Sequence, residues 1–117
     1  TGALTAPVYS VQYAQEKVQA LGAGSGTRTV DVTSGAYIQA TANSTAATWT
    51  FNVAPSASYV TSWTLELVNG GLSAQTFTNV LWVGGTAPEL SPSGTDVLVF
   101  TRVGTTTRGY LAAKDSR

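Results

Sequence analysis

The sequence predicts an all-β domain, an antiparallel β-sandwich of jelly-roll-like build with seven or eight strands. Three observations predict it. Thr, Val and aromatic residues abound, and these suit a pleated, half-buried surface. Gly, Asn, Ser and Pro punctuate the chain at short intervals, the rhythm of short strands and turns. Several segments alternate apolar and polar residues, the period of a strand with one buried face.

The clearest alternation is Thr48 to Val53, where Trp49, Phe51 and Val53 oppose Thr48, Thr50 and Asn52. Ser62 to Val68 repeats it, with Trp63, Leu65 and Leu67 opposite Thr64 and Glu66. A loop, Ala54 to Ser58, separates the two, and Asn69-Gly70-Gly71 forms a turn after the second. Asp96 to Val103 is the most apolar run. Val97 and Val99 occupy one face and Leu98 and Phe100 the other, so burial on both faces is expected. Gly104-Thr105-Thr106 turns the chain, and Arg108 to Lys114 returns as a hairpin. Weaker strands are Thr27 to Val32, Ala36 to Thr41, Gln75 to Thr78 and Val80 to Val83.

The N-terminal stretch differs. Tyr9, Val11 and Tyr13 alternate like a strand, Ala14 to Leu21 has helix-forming composition, and Gly22 to Gly26 resembles a flexible linker. The chain thus divides into an arm and linker over 1–26 and a β-sandwich over 27–117. The arm has two readings, a plain first strand with its connector or a segment that reaches a neighbouring subunit.

The 117 residues suffice for one core without disulfides. There is no Cys and no His, so Ser/His/Asp and Cys/His catalytic sets are impossible. Carboxylates for glycoside hydrolysis would come from Glu16, Asp31, Glu66, Glu89, Asp96 and Asp115. They read instead as solvated or turn-capping groups, with Glu89 and Asp96 flanking Pro88 and Pro92 in a loop. Asp31, Asp96 and Asp115 are isolated, so no metal site is expected. The Gly22 to Gly26 run lacks the Lys of a phosphate cradle. No cofactor and no enzymatic activity are expected.

Only 10% of residues are charged and the formal net charge is zero. The six basic residues are scattered, so no nucleic-acid partner is expected. No apolar run of membrane-spanning length occurs, so membrane insertion is not expected. The sparse charge fits either modest solubility or a surface covered by partner subunits.

Trp49 and Trp63 share faces with Phe51 and Leu65 and read as core. Trp82 precedes Gly84-Gly85 at a strand end and is a candidate contact residue. Tyr9, Tyr13 and Tyr59 are the other candidates, since Tyr is enriched at interfaces.

The segment Trp82-Val83-Gly84-Gly85-Thr86-Ala87-Pro88-Glu89-Leu90 resembles bacteriophage tail-fibre and related virion proteins. So do the following Ser93 to Phe100 and the closing Gly109-Tyr110-Leu111-Ala112-Ala113-Lys114-Asp115. The resemblance spans about 18 to 115. It implies a homotrimeric structural protein on the virion exterior, either a capsid decoration (cement) or head-fibre protein bound to the major capsid protein, or a tail-fibre receptor-binding domain that meets a host surface glycan. A carbohydrate-binding module with an aromatic platform is a further reading. Gly84 and Gly85 are expected to make a tight corner, and Pro88 and Pro92 to stiffen the loop before the next strand.

Overall fold

The computed structural model describes residues 15–117. Tyr9 and Tyr13 lie outside them. Seven strands form one mixed sheet: β1 (Val18–Asp31), β2 (Tyr37–Asn52), β3 (Val60–Val68), β4 (Gln75–Phe77), β5 (Val80–Trp82), β6 (Thr95–Val103) and β7 (Thr106–Ser116). The order is β1-β2-β3-β6-β7-β5, with β4 also paired to β2.

The mostly-β expectation holds, but pure antiparallel pairing, which a jelly roll requires, does not. β1 with β2, β2 with β3, β2 with β4 and β5 with β7 are all parallel. Only β3–β6 and β6–β7 are antiparallel.

The reason lies in how the chain winds. A 14-residue strand spans about 46 Å when straight. Residues 32–36 link β1 to its parallel neighbour β2, and so short a link reaches only about 17 Å. Straight strands therefore could not be joined this way, and both bend. β1 turns at Gly22 and Gly26, each with φ of 70°, where its register with β2 slips. β2 turns between Ala42 and Ala47, where its pairing with β1 is interrupted. The chain thereby comes back beside its own start: the Gln19 side-chain amide donates to the carbonyls of Asp31 (3.1 Å) and Gly35 (3.2 Å).

β3 and β4 form the next turn of this coil. β3 lies beside the first half of β2 and β4 beside the second. Side chains at matching positions then stack, as in Arg28, Trp49 and Phe77. The Arg28 guanidinium sits 4.8 Å from the Trp49 ring centroid, and Trp49 stacks on Phe77 at 6.0 Å. The β6–β7 hairpin, turned at Gly104 (φ 61°), closes the far side.

Two N-terminal expectations change. Residues 18–21 are strand, not helix. An eight-residue helix barely sustains itself in water, whereas this stretch gains a β2 ladder and packs Leu21 against the core. Gly22 to Gly26 is the bent middle of β1, pinned by Arg28, whose guanidinium donates to the Gly22 carbonyl at 3.1 Å. β1 thus continues as one strand past Gly26, where the arm was expected to end, with its pairing to β2 shifted there.

Trp49, Phe51, Trp63, Leu65, Leu67, Leu98 and Phe100 are buried, as the alternation implied. Val97 and Val99 are only half-buried, so β6 has one fully buried face and not two.

Asp96 is the main correction among the carboxylates. It is the second residue of β6, fully buried on the same face as Leu98 and Phe100. It accepts from the Ser91 N–H (2.6 Å), the Ser91 hydroxyl (2.8 Å) and the Asp115 N–H (2.8 Å). Burial pushes its carboxyl up, but these donors and the Lys114 charge outweigh that and hold it below the ordinary carboxylate range. Asp96 thereby ties the 83–94 loop and the end of β7 to the core. Asn69, left-handed at φ 59°, anchors the same loop, its side-chain oxygen accepting from the Gly94 N–H at 3.2 Å.

Candidate functional site

β5 is three residues long and covers only Thr107 to Gly109 of β7. After Trp82 the chain turns away through Gly84 and Gly85, at φ 71° and 78°. This is the expected tight corner. Past Gly109, β7 continues to Ser116 with no strand on that edge among the described residues.

Trp82 ends β5 half-buried, as expected for a strand end. Its ring meets Phe77 and Phe100 edge-on, with centroids 5.5 and 5.8 Å apart. It also lies directly over the Gly109 backbone, where a Cβ would come within 2.5 Å of the ring. Gly109 is therefore what admits Trp82 to the core margin. The residues around it point outward: Leu81 is 57% exposed, Val83 78% and Tyr110 41%. Two adjoining clefts of about 270 and 280 Å³ share Trp82, Val83, Gly109 and Tyr110. Pro88 and Leu111 wall the first and Arg108 the second.

No family model, curated protein or solved structure matches the chain. The bacteriophage resemblance thus finds no counterpart. The descriptors it carried (virion, bacteriophage, capsid decoration, tail fibre, host attachment and the trimer) are withdrawn on that finding.

Tyr59, the remaining described candidate, is 77% exposed just before β3. β6 and β7 separate β3 from β5, so Tyr59 and Trp82 do not form one surface. Leu81, Val83 and Tyr110 were missed as contact residues. Their signal was present: Leu81 and Val83 flank Trp82, and on a strand neighbours of a core-facing residue point to solvent.

A second concavity lies at the other end of β5, beside its start, and has a different chemistry. It encloses about 160 Å³ and is lined by Arg102, Phe51, Asn79 and several threonines. Arg102 continues the inward series Asp96, Leu98, Phe100 on β6, which the period of two discloses once Leu98 and Phe100 are placed inside. Among the described residues no group of three or more Asp or Glu side chains is gathered as for a metal ion.

Proposed function

We propose that this chain is a non-enzymatic structural module that works by docking copies of itself through the β5–β7 rim. One observation carries this reading. Past Gly109 the β7 edge has no partner strand among the described residues, and three exposed apolar side chains, Leu81, Val83 and Tyr110, flank it. An uncovered edge with apolar flanks is a template for pairing, and contiguous exposed apolar surface marks an interaction site.

The opposite edge of the sheet differs. β1 is also terminal, but it bends twice at glycines. Bends that turn a strand away are a usual means of blunting an edge. A formal net charge of zero leaves little long-range repulsion between copies. The structural and self-associating part of the sequence expectation is kept in this reading, without the virion setting.

Sedimentation equilibrium of the full chain tests it. The chain is expected to associate at micromolar concentration. Val83→Asp, which puts a charge on the rim, is expected to shift it toward monomer. Tyr59→Asp, equally exposed but remote, is expected to leave the mass unchanged. A wild-type chain that is monomeric throughout removes the reading.

A further inference from the structure

Arg102 is an unusual residue to find on the core-facing side of a strand. It follows Phe100 in the inward series of β6 and pairs across the hairpin with Thr107, which is itself buried. Arg102 is half-buried, and a charge drawn away from water normally has a carboxylate partner. Here the only ion pair among the described residues joins Arg117 and Asp115. No acidic side chain lines the cleft that Arg102 enters. Among the described residues its one side-chain hydrogen bond runs from Nε to the Gly104 carbonyl at 3.2 Å. That bond orients the guanidinium plane and leaves the terminal nitrogens as donors.

The rest of the cleft is hydroxyl-rich. Thr105 and Thr107 approach from the hairpin, and Thr50 from the end of β2. Thr78 and Asn79 close it from the turn between β4 and β5, where Asn79 is left-handed at φ 57°. Phe51 supplies an apolar wall and belongs to the aromatic core, 4.8 Å from Phe100 between centroids. A cationic fork, several hydroxyls, one amide and an aromatic ring thus converge on one space. Its volume, about 160 Å³, is well under the roughly 300 Å³ at which drug-sized pockets begin.

We propose that this cleft binds a single carboxylate-bearing sugar, of the hexuronate class. Arg102 takes the carboxylate, for which its planar fork is matched. The threonine hydroxyls and the Asn79 amide bond the ring hydroxyls, and Phe51 meets an apolar sugar face. The cleft shares no lining residue with the two rim clefts, although Asn79 and Thr107 adjoin the start of β5, and its ligand test does not depend on self-association. A free sugar acid and the terminal residue of a glycan present the same chemistry to it.

The test is a titration of the isotope-labelled full chain followed by amide NMR shifts. Galacturonate is expected to bind with millimolar affinity. The shifts should centre on Thr50, Thr78, Asn79, Thr105 and Thr107. Neutral galactose should bind about tenfold more weakly or worse, because it lacks the charge-assisted hydrogen bonds. Arg102→Gln should weaken galacturonate by a similar factor. Asn79→Gly, which retains the left-handed turn, provides a second variant should Arg102→Gln disturb the fold. A glycan ending in a uronate that binds as well as the free acid would identify the glycan terminus as a source. A glycan that fails where the free acid binds leaves the free acid as the ligand. The proposal is overturned if galacturonate moves no cleft resonance. It is also overturned if inorganic phosphate binds equally well, which makes the cleft an anion site only, or if both variants bind like wild type.

Discussion

Replacing Asp96 by Asn keeps the shape of a fully buried side chain and removes its charge. Three donors converge on the carboxylate: the Ser91 N–H, the Ser91 hydroxyl and the Asp115 N–H. An amide has one accepting oxygen, so at least one of these donors meets an NH2 group. A buried donor without an acceptor costs about 1–3 kcal/mol, and the surviving bonds lose their charge assistance. The substitution should therefore cost about 2–4 kcal/mol at pH 7, a large part of the roughly 5–15 kcal/mol typical of a domain. The pH dependence has a definite sign. The Asp96 carboxyl is held below its ordinary range in the folded chain, while the unfolded group titrates near about 3.9. Its stabilisation is thus fully present above that unfolded value and is lost as pH falls through it toward the folded one. Urea unfolding followed by tryptophan fluorescence, at pH 7 and again near pH 3, measures both effects. The gap between wild type and Asp96→Asn should be wide at pH 7 and narrower in acid. A gap under about 0.5 kcal/mol at pH 7, within the noise of ordinary surface substitutions, would refute the reasoning. So would a gap that acid leaves unchanged.

Three further substitutions probe the core. The Trp49 indole N–H donates to the Gln75 side-chain oxygen at 2.8 Å, whereas the buried Trp63 N–H has no partner among the described residues. Trp49→Phe should therefore destabilise more than Trp63→Phe, by about 1 kcal/mol or more, in paired urea titrations; equal losses would contradict this. Gly109→Ala places a methyl against the Trp82 ring and should cost about 1–3 kcal/mol through overpacking. Near-ultraviolet circular dichroism should register the displaced indole, and an unchanged spectrum with unchanged stability would count against the Trp82–Gly109 packing.

The sequence disclosed the strands that alternate and concealed how they are joined. Trp49 with Phe51, and Trp63 with Leu65 and Leu67, announce their buried faces by a period of two, and they lie inside. Asn69-Gly70-Gly71, Gly84-Gly85 and Gly104 announce turns, and turns occur there. Parallel winding leaves no such mark. A short link between strands reads as a hairpin unless the strands bend, and the bend in β1 rests on Gly22 and Gly26, which in sequence look like a linker. Asp96 was obscured because a carboxylate beside Pro92 reads as a loop residue. Only its spacing from Leu98 and Phe100 shows that it faces the core. Arg102 obeys the same spacing at the other end of β6. Of the candidate contact residues, Trp82 was legible from its place before Gly84-Gly85. Leu81 and Val83 were legible as its outward-facing neighbours, whereas Tyr110 became visible only once β5 was seen to pair no further than Gly109 of β7.

Amide hydrogen exchange along β7, followed at high and at low protein concentration, addresses the rim most directly. If copies dock there, amides within Tyr110 to Lys114 that face the open edge exchange slowly in the concentrated sample and quickly on dilution. The β3 amides, internal to the sheet, should stay protected in both. Exchange along β7 that is fast at every concentration would contradict docking at this edge.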